Sequence, residues 1–193
     1  MNRLFPIFLK LETLDVLLVG GGNVGLEKLT AMLGNSPEAR VTVVADRFLP
    51  ELRDFVAEKS NVNLVERKFD LSDLDGKDLV VLATDDPTLH ERIKRVTDER
   101  RILTNVADTP ALCDFYLGSI VQKGDLKIAI STNGKSPTVA KRLREFLTDL
   151  IPDDIHDLLE NVTAYREQLK GDFQEKIRQL NELTKGLVAK QVK

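Results

Sequence analysis

The stretch Leu14-Asp15-Val16-Leu17-Leu18-Val19-Gly20-Gly21-Gly22-Asn23-Val24-Gly25 decides the fold. Apart from Asp15, its first six residues are apolar and β-rich, the pattern of a parallel strand buried on both faces. The run ends on three glycines, which allow a tight turn. Val24, Leu26, Leu29 and Leu33 follow near helical spacing, which predicts a helix over 24–34, with Gly34 suited to its end. Residues 41–45, Val-Thr-Val-Val-Ala, read as a second strand, and Asp46 comes next. Strand, glycine turn, helix and strand make a βαβ unit, whose crossover is right-handed.

The alternation continues downstream. Leu49–Glu58 reads as a helix with Pro50 near its start, Asn63–Arg67 as a short strand and Leu79–Ala83 as a buried strand. His90–Arg100 then reads as a helix and Ile102–Val106 as a further strand. Strands alternating with helices predict an α/β fold, a Rossmann-type doubly wound parallel sheet. The pattern changes after residue 112. Phe115–Gln122 and Leu126–Ser131 are β-like runs separated by Lys123-Gly124-Asp125, which predicts an antiparallel hairpin. Ser136-Pro137 opens a helix through Leu150, and Pro152 breaks the chain. Residues 153–189 read as two amphipathic helices with Gly171 near their junction.

Gly20, Gly22 and Gly25 match G-x-G-x-x-G, and they follow a strand and open a helix, the context that the motif requires. The first glycine allows the turn, the second lets a pyrophosphate approach the backbone, and the third lets helix and strand pack closely. Asn23 and Val24 lie at the tip, where their backbone N–H groups face the phosphates. Asp46 stands roughly 20 residues beyond the motif, where an acidic side chain accepts hydrogen bonds from the adenosine ribose. It also repels a 2′-phosphate, which favours NAD over NADP, with Arg47 next door tempering that preference. Thr84 ends a later strand and is a candidate to line the cofactor cleft, while Asp85 or Asp86 is equally suited to cap the following helix.

Composition narrows the function classes. Hydrophobic residues make up 42% and charged residues 31% of the 193, which suits a globular protein rather than a disordered one. The formal net charge of -3 argues against nucleic acid as the main partner. The longest apolar runs fall well short of the ~20 residues of a membrane span, and no signal peptide is expected at the N-terminus. The single cysteine, Cys113, forms no internal disulfide, and it reads as a small buried hydrophobe. Cytoplasm is the expected location. His90 and His156 are the only histidines and have no partner at ligand spacing, so no metal site is expected. His90 reads as a surface or packing residue on its helix.

Three further segments carry a resemblance: Leu4-Phe-Pro-Ile-Phe8 at the start, Asn105-Val-Ala-Asp108-Thr-Pro-Ala-Leu-Cys-Asp-Phe-Tyr116 in the middle, and Ile130-Ser-Thr-Asn-Gly-Lys-Ser-Pro137 beyond it. Together with the glycine turn, in this order and spacing over residues 1 to about 150, they resemble the precorrin-2 dehydrogenase and sirohydrochlorin ferrochelatase family, the N-terminal module of siroheme synthases. The resemblance implies an NAD-binding Rossmann domain over 1–112, a dimerisation segment over 113–150 and a helical region over 151–193. It implies NAD-dependent oxidation of precorrin-2 to sirohydrochlorin and, in some members, Fe2+ insertion, by a homodimer. Apolar residues on both sides of the hairpin region, Phe115, Tyr116, Ile120 and Val121, would suit such pairing.

The family's essential aspartate matches Asp108. Loss of a hydride requires loss of a proton, which a carboxylate beside the macrocycle can accept; burial would tune it for that work. Read without the resemblance, Asp108 is a turn residue before Pro110. The loop Ser131, Thr132, Asn133, Gly134, Lys135 and Ser136 offers hydroxyls, backbone N–H groups and a cation to the carboxylates of a polyacidic tetrapyrrole, and Lys141, Arg142 and Arg144 follow it. Ser136 is suited first to cap the helix that Pro137 begins, and both roles are compatible. The chain departs from the family in two places: Gly25 stands where alanine is common, and Thr132 where some members carry a second serine. An alternative from another class remains, a non-catalytic NAD(H)-sensing Rossmann module that regulates a partner protein; it needs the glycines and Asp46 but neither Asp108 nor the 131–136 loop.

Overall fold

The computed structural model describes residues 3–170 and 172–185. They form two compact units, one of residues 3–118 with 132–136, the other of residues 119–131 with the described residues from 137 to 185.

The first unit is a five-stranded parallel sheet: β1 (Asp15–Val19), β2 (Arg40–Ala45), β3 (Val62–Glu66), β4 (Leu79–Leu82) and β5 (Leu103–Val106), in the order β3-β2-β1-β4-β5. Its helices are α1 (Asn23–Asn35), α2 (Pro50–Val56) and α3 (Pro87–Arg100). The period-two alternation of a strand explains the two cores. Val16 and Leu18 of β1 point to one face, where they join Leu29, Met32 and Leu33 of α1 and Leu52 and Val56 of α2. Leu17 and Val19 point to the other, where Ile93 of α3, Leu74 and Ile102 cover them. Helices on both faces make the central strands apolar throughout, and Val16–Val19 and Leu79–Leu82 are all buried. Each such side chain contributes about 1.5–3 kcal/mol by leaving water. Order and handedness put the switch point between β1 and β4, because the chain winds from β1 to one side and from β4 to the other.

The expected doubly wound sheet is therefore present. The helix expected from His90 starts at Pro87, because Asp86 caps it: the Asp86 carboxylate accepts the N–H of Leu89 at 2.9 Å. Asp85 makes no such cap.

In the second unit β6 (Ser119–Lys123) and β7 (Leu126–Ile130) form the antiparallel hairpin, with Gly124 at φ +52° in its turn. α4 (Pro137–Leu150) packs against it, and α5 (Ile155–Gln168) and α6 (Phe173–Thr184) complete the unit. The strand expected from Phe115 starts at Ser119 instead. Phe115 belongs to the first unit, where it packs on the α1 and α2 face of the sheet. The expected α5–α6 junction at Gly171, and the end of the last helix at 186–189, lie outside the described residues. No described helix is long and apolar enough to cross a membrane.

Candidate nucleotide and acid-base site

The carboxyl ends of the parallel strands gather most of the expected site. The glycine turn follows β1, Asp46 and Arg47 follow β2, Thr84 lies just beyond β4, and Asp108 lies just beyond β5. In a sheet of this topology that rim is where ligands bind.

The three motif glycines are required for different reasons. Gly20 has φ +126°, and a Cβ there would lie 2.3 Å from the Ala83 carbonyl oxygen. A Cβ on Gly25 would lie 2.2 Å from the Gly20 oxygen, so an alanine there would require α1 to shift away from the turn. Gly22 meets nothing within 4 Å. Its role is not internal packing, and the open space above it is what close approach of a diphosphate needs. Gly22 is also the N-cap of α1 and supplies no capping side chain, and the helix has no acidic residue in its first turn. The positive end of the helix is thus left to an external anion, and Asn23 and Val24 carry its first backbone N–H groups.

A fourth glycine went unread in the sequence. A Cβ on Gly21 would meet the Arg47 carbonyl oxygen at 2.4 Å, and the Gly21 oxygen accepts the Leu49 N–H at 2.9 Å. Gly21 therefore lets the loop carrying Asp46 and Arg47 fold down beside the turn. Both of those side chains are exposed, as a ribose contact requires. The triplet Gly20-Gly21-Gly22 was the available signal.

Thr84 is half-buried, and its Oγ1 lies 2.8 Å from Nε2 of His90 on α3. His90 is buried, the packing residue of the two alternatives, and burial pushes its pKa down against the opposing pull of Asp86 and Asp85. The histidine thus fixes the rotamer of the one side chain expected at the rim beyond β4.

Asp108 sits in the corner between β5 and a 3-10 turn at Pro110–Leu112, with φ +57°. Its side chain is exposed and, among the described residues, has no hydrogen bond or ion pair. The burial expected to tune it is absent from this chain, because the corner projects beyond the strand end. In the 131–136 loop the Thr132 hydroxyl accepts the Ser136 N–H and reaches the Ser136 carbonyl, each at 3.2 Å, and Lys135 N–H donates to Thr132 O. Asn133 and Gly134 have φ +56° and +73°, which closes a tight turn. Ser131 belongs to the other unit. Among the described residues no group of three or more His, Cys, Asp and Glu could hold a metal ion.

The family model described as "Putative NAD(P)-binding" matches residues 7–119, more than half of the chain. The chain belongs to this NAD(P)-binding family. A second model, "Sirohaem biosynthesis protein central", matches residues 123–150. Siroheme synthase of Shigella boydii serotype 18 is 38% identical over 177 residues, 92% of this chain and 37% of that protein. Siroheme synthase of Thioalkalivibrio sulfidiphilus is 36% identical over 167 residues, 86% of this chain and 34% of that protein. The chain thus spans little more than a third of these curated relatives. A solved structure, "SirC, precorrin-2 dehydrogenase", superposes with a TM-score of 0.75 at 26% identity, covering 93% of this chain and 89% of that one. The resemblance to the precorrin-2 dehydrogenase family is borne out by this agreement.

Proposed function

We propose that this chain oxidises precorrin-2 to sirohydrochlorin with NAD+ in siroheme biosynthesis. The observation that carries the reading is the shared rim: the open glycine turn after β1 and the exposed Asp108 after β5 both stand at the carboxyl end of one parallel sheet. The match of the chain to siroheme synthases and to a precorrin-2 dehydrogenase structure supports it.

The residues present fit the cofactor, because Gly22 leaves room for a diphosphate and the start of α1 is uncapped. Gly20, Gly22, Asn23, Val24 and Gly25 would hold the diphosphate by backbone N–H groups, Asp46 the ribose hydroxyls, and Arg47 and Thr84 the flanks. Asp46 favours NAD over NADP by charge. When bound, NAD+ supplies the hydride acceptor. Asp108 accepts the proton that leaves the macrocycle, and its exposure at the tip of the corner leaves it reachable by a large substrate. Ser131, Thr132, Asn133, Gly134, Lys135 and Ser136 bind the acetate and propionate groups of the tetrapyrrole.

The proposal includes Fe2+ as a second substrate, inserted into sirohydrochlorin with Asp108 accepting pyrrole protons, and a cytoplasmic homodimer as the working form. The dimer is supported by α4, where Val139, Leu143, Phe146 and Leu150 are 43–62% exposed and recur at i, i+4, i+7 and i+11. The hairpin residues first expected there contribute less, since Val121 is buried and Phe115 packs on the sheet.

Anaerobic incubation with precorrin-2 and NAD+, followed by Fe2+, tests the reading by the absorbance of NADH, sirohydrochlorin and siroheme. NADH should form in the first stage, and Asp108→Ala should slow it about 100-fold or more. No NADH from the unaltered chain would remove the dehydrogenase assignment. NADH and sirohydrochlorin without siroheme would remove only the Fe2+ step.

A further inference from the structure

β5 closes one side of the sheet, and its inner groups pair with β4: Leu103 N–H donates to Asp78 O, and Ala107 N–H to Leu82 O. Thr104 and Val106 point their backbone groups outward, where no further strand lies among the described residues. Two residues take the place of that strand. The Asp114 carboxylate accepts the Thr104 N–H at 2.9 Å, while Asp114 N–H donates to Thr104 O at 2.8 Å. The Cys113 thiol accepts the Val106 N–H and donates to the Val106 carbonyl, both at 3.2 Å. Burial pushes the thiol pKa up, which keeps it a donor. Asn105 Nδ2 donates to Phe115 O at 2.8 Å and holds the next residue of the same strap. Lys94 of α3 grips both Asp114 oxygens, at 2.8 and 2.9 Å, and also bonds Asp98.

Asp108 lies between these anchors. Ala107 ties one end of its corner to β4, and Cys113 and Asp114 tie the other end to β5. A non-glycine residue holds a left-handed backbone only when surrounding bonds impose it. Among the described residues the Asp108 side chain has no hydrogen-bond or ion-pair partner, so the direction of its carboxylate is inherited from the corner.

We propose that Cys113 and Asp114 are positioning residues for Asp108, their side chains acting as a substitute strand that fixes the corner from which the carboxylate meets substrate. This rests on the proton-accepting role given to Asp108 above. Neither residue touches the reacting atoms. Their loss should therefore lower the rate of oxidation and leave cofactor binding intact.

The test is steady-state kinetics with precorrin-2 and NAD+ on the full chain, alongside calorimetric NAD+ titration, for Cys113→Val, Cys113→Ser, Asp114→Ala and Asp108→Ala. Cys113→Val stays apolar, adds one methyl group and removes every thiol bond, those to Val106 included; its kcat should fall about 10- to 100-fold, with the KM for NAD+ within about twofold. Cys113→Ser can still accept and donate and should recover most of kcat, which a purely volumetric role would not predict. Asp114→Ala should repeat the loss. Wild-type kcat in either Cys113→Val or Asp114→Ala overturns the proposal; if Cys113→Val fails to bind NAD+ at all, Asp114→Ala decides alone. An unaltered chain with no turnover, or a fully active Asp108→Ala, overturns instead the functional reading beneath it.

Discussion

Gly22 and Gly25 stand one helical turn apart, and they tolerate a side chain very differently. A methyl group at Gly25 collides with the Gly20 carbonyl, so Gly25→Ala should cost about 1–3 kcal/mol and weaken NAD+ binding together with stability. A methyl group at Gly22 meets only open space, so Gly22→Ala should keep its melting temperature and lose NAD+ affinity about tenfold. Calorimetric NAD+ titration beside thermal unfolding of both variants separates the two roles. At Asp108 the expectation runs the other way. Glycine relieves the left-handed strain of about 1 kcal/mol but adds a similar entropy cost to folding, so Asp108→Gly should leave Tm within a few degrees and abolish precorrin-2 oxidation. The glycine turn after β1 and the place of Asp46 just beyond β2 could be read from the motif together with its strand-turn-helix context. The strain at Asp108 could not, because Asp-Thr-Pro suits several turns, and only the neighbouring strand ends decide which one forms.

At the level of elements, the strand-helix alternation was legible because β1 and β4 are sandwiched between helices and so carry unbroken apolar runs. What escaped was any element whose residues serve a neighbour. Phe115 looks like a strand residue, yet its carbonyl is committed to Asn105 and its ring to the sheet face. His90 reads as a surface or packing residue, and its burial decides for packing, but its partner Thr84 is not legible in the sequence. That packing makes α3 sensitive to acid. Burial depresses the folded-state pKa of His90, so below its ordinary value of about 6.5 the unfolded chain takes up a proton that the folded chain resists. The stability is therefore complete above that value and is lost as pH falls through the lower, folded pKa. Thermal unfolding at stepped pH should show a steeper acid-side loss of Tm in the unaltered chain than in His90→Gln; parallel curves would remove His90 from the account.

At the scale of the whole molecule, the apolar stripe of Val139, Leu143, Phe146 and Leu150 is the surface that a second copy would cover. Sedimentation should report a dimer at micromolar concentration, and Phe146→Glu should give a monomer that still binds NAD+, since the residue lies in the other unit from the glycine turn. The sequence predicts the helix but not its stripe as a contact surface, because a heptad stripe reads alike whether it faces its own core or a partner, and only exposure in the folded chain distinguishes the two. The strap of residues 113–115 has a consequence of another kind. By occupying the outward amides and carbonyls of Thr104 and Val106, it denies incoming chains a template on that flank of the sheet. In the five-stranded sheet the edge left to strand recruitment, the first step of fibrous aggregation, is β3, where Glu66 pairs with Arg53 of α2.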